Sequence, residues 1–213
     1  NMPSTIFAHL DQLEPWESSL FPFVMAMANP LALKEHLENP DSGPIFLVHD
    51  GGAAENGPFG WLIAHTEGTY WEGGGPTAGR KPGSFRAEGY GMLAALRFLL
   101  QYLHFFNITP ACPEQVHFEY TDSKALLGRL TSSLERFYPS PGACLASEFD
   151  IENAIINSMK AIGLTFERKH VKGHQDKEQE IQCLAWPAQL NCVCDHIATQ
   201  QLADTPLYTK VIK

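Results

Sequence analysis

Cations are scarce in this chain. Of 213 residues only 15 are Lys or Arg, against 24 Asp or Glu, a formal charge of −9 with a pI near 5.4. That balance excludes the strongly basic face by which many proteins hold polynucleotides through phosphate contacts alone. Between Arg136 and Lys160 there is no Lys or Arg. Long apolar runs are missing too: none approaches the ~20 residues that span a bilayer, and no charged leader precedes an apolar stretch at the N-terminus, so neither membrane insertion nor secretion is expected. Cysteines are few and odd in number. Cys112, Cys144, Cys183, Cys192 and Cys194 form no disulfide-like framework, which favours a reducing, intracellular setting in cytoplasm or nucleus. Internal repeats and low-complexity segments are absent, and Asn1 ahead of Met2 suggests a fragment boundary or a tag scar.

What is present describes an ordinary globular unit, 44% hydrophobic and 18% charged, long enough to bury a sizeable core. Residues 1–42 are expected to form an extension or connector. It contains apolar contacts at Trp16, Leu20, Phe21, Phe23 and Val24 and a short amphipathic helix through Leu31, Leu33 and Leu37. Segments 44–50, 59–65 and 69–74 alternate as three strands with Gly-containing turns between them, an antiparallel meander. Leu93, Leu96, Leu99, Leu100 and Leu103 mark a helix over 85–104, followed by strand 115–121 and helix 122–133. Ile151, Ile155, Ile156 and Met159 predict a helix from Phe149 to Ile162, then strand 164–171 and a last helix from about 187 to 202. The order β-β-β-α-β-α-α-β-α implies a mixed α/β sheet, five-stranded, with helices on both faces. The main domain is expected over 43–204, with a tail at 205–213.

Four carboxylates stand where elements meet. Asp50 closes the apolar run Ile45-Phe46-Leu47-Val48 and precedes Gly51-Gly52, Glu88 lies in the first turns of the Leu-rich helix, and Asp122 follows a strand and begins a helix. Asp195 lies on the last helix, and His174, next to Gly173, falls between it and Asp122. Taken singly, such acids are most often turn formers, helix caps or solvated residues. Their order and their flanking residues set them apart.

Val48-His49-Asp50-Gly51-Gly52, Phe85-Arg86-Ala87-Glu88, Tyr120-Thr121-Asp122-Ser123, Val171-Lys172-Gly173-His174 and Asn191-Cys192-Val193-Cys194-Asp195 resemble, in that order, the motifs of a ribonuclease H domain. Phe59-Gly60-Trp61 and Trp186-Pro187-Ala188-Gln189-Leu190-Asn191 look most like those of eukaryotic retroelement reverse transcriptases. The resemblance implies a ribonuclease H-like fold and hydrolysis of the RNA strand of RNA/DNA hybrids. Two Mg²⁺ ions would be held by Asp50, Glu88, Asp122 and Asp195, with Mn²⁺ as an alternative. Asp50 would bridge both ions, and His174 would position water, shuttle a proton or assist product release. A reverse transcriptase domain would be attached or nearby.

The chemistry suits those ligands. Two hard cations ~4 Å apart stabilise both the attacking and the leaving oxygen of a phosphodiester, and Mg²⁺ takes oxygen ligands. Carboxylates crowded without metal should have raised pKa values. Substrate contacts are expected from Gly51, Gly52, Ser84, Ser123 and Lys124. Ser84 and Phe85 stand where bacterial members carry two asparagines, and Lys124 where a glutamine is common, so the preference for hybrids rests on the resemblance. The alternative is a non-catalytic ribonuclease H fold that binds nucleic acid or acts as a scaffold; a DNA nuclease or integrase on the same fold is a further rival. Zinc at Cys192, Cys194 and His196 lacks a paired C-x-x-C. Nothing beside Cys112 or Cys144 suggests an activated thiol.

Overall fold

The computed structural model describes residues 4–52, 57–79, 83–135, 139 and 141–203; the tail at 205–213 lies outside them. The extension folds into helices α1 (Ile6–Asp11) and α2 (Pro15–Ser18), strand β1 (Phe23–Ala26) and helix α3 (Ala32–Glu38). The meander β2 (Phe46–Gly51), β3 (Pro58–His65) and β4 (Gly68–Pro76) follows, then α4 (Ser84–Phe105), β5 (Val116–Thr121), α5 (Lys124–Glu135), α6 (Phe149–Ile162), β6 (Thr165–His170) and α7 (Trp186–Ala203). The expected elements of the main domain are all present, and α6 has the predicted ends.

One sheet runs through the molecule in the order β1-β4-β3-β2-β5-β6. β2, β3 and β4 pair antiparallel, while β2 and β5, and β5 and β6, pair parallel. The carboxyl ends of β2 and β5 therefore open on the same edge. Alternation along β2 sorts its side chains cleanly. Ile45 and Leu47 join Trp61, Ile63 and Phe98 in the large core under α4, and Phe46 and Val48 join Leu62, Leu190 and Cys194 under α7.

Six strands stand where five were expected. Phe23-Val24-Met25-Ala26 carries little strand signal of its own. It pairs antiparallel with β4, from Phe23↔Gly74 to Ala26↔Trp71, because that edge offers unpaired backbone groups. The rest of the extension packs as an arm. Ile6, Leu10, Leu20, Leu33 and Leu37 enter the main core. Glu17, only 5% exposed, accepts from Arg97 Nε at 2.6 Å and Gln101 Nε2 at 2.8 Å, both on α4. On α3, His36 bonds the Tyr70 hydroxyl at 2.7 Å through Nδ1 and the Gly43 carbonyl at 3.0 Å through Nε2.

Glu17→Ala leaves Arg97 without its partner in a largely buried position. The expected loss is about 3 kcal/mol of unfolding free energy, measured as a lower urea midpoint at unchanged m-value. A loss below about 0.5 kcal/mol, the size of an ordinary surface substitution, would show that this contact does not anchor the arm.

Candidate metal centre

Each acid reaches the open edge of the sheet for a local reason. Asp50 is the last side chain of β2, and α4 presses on the residue after it: a Cβ on Gly51 would lie 2.2 Å from the Glu88 backbone nitrogen. The absence of a side chain at Gly51 thus lets the first turns of α4 bring Glu88 against Asp50. The Cα side of Gly51 where a Cβ would stand is turned to the helix. Gly52 donates its N–H to the Pro58 carbonyl at 2.7 Å and faces the Pro58 ring, so it is spent on the β2–β3 turn.

Asp122 lies just past β5, yet it does not cap α5. That role falls to Ser123, whose Oγ accepts from Leu126 N at 3.3 Å, while Thr121 Oγ1 accepts from Ser123 N at 3.1 Å. The Ser123 hydroxyl, expected on the substrate, is engaged in the cap. Lys124 and Ser84 are exposed, open to a ligand. Phe85 packs on the main core beneath the Arg129 guanidinium, 5.3 Å from its ring centroid.

Asp50, Glu88 and Asp122 offer oxygens that lie within 4.8 Å of one another. Asp50 and Glu88 are 5% and 7% exposed. Asp50 Oδ1 accepts from Gly51 N at 2.7 Å, but Asp50 Oδ2, Glu88 Oε2 and Asp122 Oδ1 are buried with no hydrogen-bond partner. Orphaned acceptors at the meeting point of three carboxylates fit a cation, and an all-oxygen donor set fits a hard one. Burial, and then the charges of Asp122 and Asp195, push the Asp50 carboxyl up to about 7 against the opposing pull of the Gly51 N–H and His174. Burial and the charges of Asp50 and Asp122 raise Glu88 further still.

Asp195 stands outside the group of three, close enough to raise Asp50. Its partner is His174, whose Nδ1 lies 3.3 Å from Asp195 Oδ2. α7 is held at this depth by Cys194, fully buried, whose thiol donates to the Val48 carbonyl at 3.4 Å. His174 has a left-handed backbone, φ 51°, which costs a non-glycine residue about 1 kcal/mol. Before it, Gly173 abuts the acids: a Cβ there would meet Asp122 Oδ2 at 2.2 Å. In the sequence Gly173 stands out only as part of a motif; its contact with Asp122 is tertiary. Among the described residues no second group of His, Cys, Asp or Glu approaches metal-binding geometry.

The metal-free protein should lose stability as pH rises. A carboxyl with a raised folded pKa stabilises the fold fully below its unfolded value, near 3.8 for Asp50, and that contribution disappears as pH climbs through about 7. Thermal melting in EDTA should therefore give a falling Tm from pH 5 to pH 8, and saturating Mg²⁺ should cancel the fall; a flat profile in EDTA would contradict the crowding. Gly173→Ala should weaken Mg²⁺ or Mn²⁺ binding about tenfold or more in a protein that remains folded, as read by titration calorimetry.

No family model matches the sequence, and no curated protein matches it. Solved structures resemble it in fold. RNase H1 from the halophilic archaeon Halobacterium salinarum is 20% identical with a TM-score of 0.48, covering 76% of this chain and 100% of its own. The N-terminal RNase H domain of a Mycobacterium tuberculosis protein, solved as a fusion with maltose binding protein, is 14% identical with a TM-score of 0.49, covering 79% and 99%. The PFV RNase H domain is 17% identical with a TM-score of 0.49, covering 75% and 93%. Likeness of this degree says nothing about activity. A meander continued by two parallel strands, with acids converging from the ends of β2 and β5 and from α4, makes this chain a domain of ribonuclease H-like fold.

Proposed function

We propose that this domain is a metal-dependent endonuclease that hydrolyses the RNA strand of RNA/DNA hybrids, leaving 3′-hydroxyl and 5′-phosphate ends. The observation that carries this reading is the set of three buried, unpartnered oxygens on Asp50, Glu88 and Asp122. Such a set is unfavourable unless something cationic satisfies it. Asp50, Glu88 and Asp122, whose oxygens lie within 4.8 Å of one another, together with Asp195, would hold two Mg²⁺ or Mn²⁺ ions. Bound divalent cations would supply charge stabilisation at the attacking and leaving oxygens.

The chain's own residues do the rest. His174, whose Nδ1 lies 3.3 Å from Asp195 Oδ2, is the candidate for positioning water or carrying a proton at the reacting oxygens. Ser84 and Lys124, exposed at the first turns of α4 and α5, flank the acids and are the candidate contacts to the nucleic-acid backbone. Lys172, beside the site in sequence, is already engaged by Glu178 at 2.6 Å, and all four described arginines are likewise paired. Grip on the hybrid is thus expected to be weak, which favours a setting where a neighbouring reverse transcriptase domain supplies affinity. The sequence style of the segments around Glu88 and Asn191 supports a retroelement origin. Among the described residues no helix is long and apolar enough to cross a membrane.

The test is an end-labelled RNA/DNA hybrid beside matched RNA and DNA duplexes, with Mg²⁺ or EDTA. Cutting confined to the hybrid's RNA and abolished by EDTA is expected. Asp50→Asn, Glu88→Gln and Asp122→Asn should each lower kcat by about a thousandfold, the several kcal/mol assigned to metal catalysis, while melting at a higher temperature in EDTA than the native protein. His174→Ala should cost about a hundredfold. Hybrid binding without cutting, by folded protein with metal present, would favour the scaffold instead.

A further inference from the structure

On the face of the sheet that packs against α4 lies a second set of polar and charged side chains, which the proposed metal site does not use. His49 on β2 and Glu119 on β5 have side chains 0% and 1% exposed, and Arg168 on β6 is 18% exposed. His49 Nε2 lies 3.2 Å from Glu119 Oε1, and Arg168 Nε lies 3.1 Å from Glu119 Oε2. A carboxylate facing a guanidinium is an acceptor, so His49 Nε2–H donates. The satisfaction is incomplete: His49 Nδ1 has no partner, and the Arg168 Nε contact lacks hydrogen-bond alignment. A buried, partly satisfied network of this kind is often no more stabilising than apolar side chains of the same volume. Stability alone therefore gives a weak account of why it is there.

Its place in the topology gives a better one. β2 and β5 pair only at Phe46↔Phe118, Leu47↔Glu119 and Val48↔Tyr120. The backbone ladder thus stops two residues short of both Asp50 and Asp122. Beyond it the two strands are free to splay, and crevices outside the carboxyl ends of parallel strands are where such sheets bind ligands. His49 is the first residue of β2 past the ladder, and its ring reaches back to Glu119, inside it. Glu119 is in turn the register partner of Arg168 on β6. A chain of side-chain contacts thereby crosses three strands where backbone pairing between two of them has ended. Asp50 directly follows His49, Asp122 lies three residues beyond Glu119, and Gly173, against Asp122, lies five beyond Arg168. His49 and Asp50, adjacent on one strand, point to opposite faces, so the network acts on the acids only through the backbone.

We propose that Glu119 is a positioning residue: by holding His49 and Arg168 it sets the splay of β2 from β5, and with it the spacing of Asp50 and Asp122. This rests on the reading of those acids as metal ligands.

The test compares the native domain with Glu119→Gln and with a Glu119→Leu/Arg168→Met double variant, which removes both charges and strands neither. Mn²⁺ and Mg²⁺ binding without nucleic acid is measured by titration calorimetry. kcat and KM on the hybrid are measured at a temperature where circular dichroism shows each protein folded. The double variant should bind metal about 10- to 100-fold more weakly and lose kcat with little change in KM, even where its Tm equals or exceeds the native value. Glu119→Gln, which keeps an acceptor for His49, should recover part of the affinity. Native metal affinity and kcat in the folded double variant overturn the proposal, as does an affinity loss that merely tracks the unfolded fraction. Absence of metal binding by the native domain sinks the metal-site reading itself, and is thereby told apart from a failure confined to Glu119.

Discussion

Mutual repulsion among Asp50, Glu88 and Asp122 is the constraint around which this domain is arranged. Like charges whose oxygens come within 4.8 Å of one another in a partly buried site interact far more strongly than they would in water. A chain left to relax would turn at least one of them out to solvent. Three separate devices prevent this. The bare Cα of Gly51 lets α4 advance until Glu88 meets Asp50. Ser123 takes the cap of α5, so that Asp122 is not drawn into satisfying helix N–H groups. The segment that follows β6 brings Gly173 onto Asp122. Burial first, and the neighbouring acids after it, raise the Asp50 and Glu88 carboxyls. Strain of this sort, kept at one place and supported from elsewhere, is typical of sites that act on a ligand.

Much of this was legible in the sequence because the relevant signals are local. The meander, the Leu-rich helix and the Ile-patterned α6 follow from apolar periodicity, and the acids announce themselves by sitting where such periods break. The less legible parts are tertiary. β1 has no strand signature because its reason for being a strand is the edge of β4. Gly51 could be seen to be special, but whether its open side faced a ligand or a helix depended on how α4 packs. Ser123 and Asp122 are equally good caps on paper, and only the placement of the strand end decides between them. His49 did leave a trace, a polar side chain inside an apolar strand, but its partner Glu119 is 70 residues away in sequence.

The scarcity of cations takes on a different meaning in the folded chain. Arg86 is held by Glu148 and bidentately by Asp150, Arg97 by Glu17, Arg129 by Glu152 and Arg168 by Glu119. These arginines tie α4, α5 and β6 to their neighbours, so the guanidinium groups of the described residues are engaged within the fold.

The arm has a consequence for how the domain can be separated from its surroundings. The sheet does not begin at residue 43: β1 covers the outer side of β4 from Trp71 to Gly74, and Glu17 and His36 fasten the arm down. A piece starting at the meander would bare the middle of β4, a nine-residue strand rich in glycine and poor in charge. Open edges of that length recruit other strands. The arm thereby covers an edge that other strands could otherwise use, so a piece of this chain meant to behave as a single copy has to keep Phe23–Ala26.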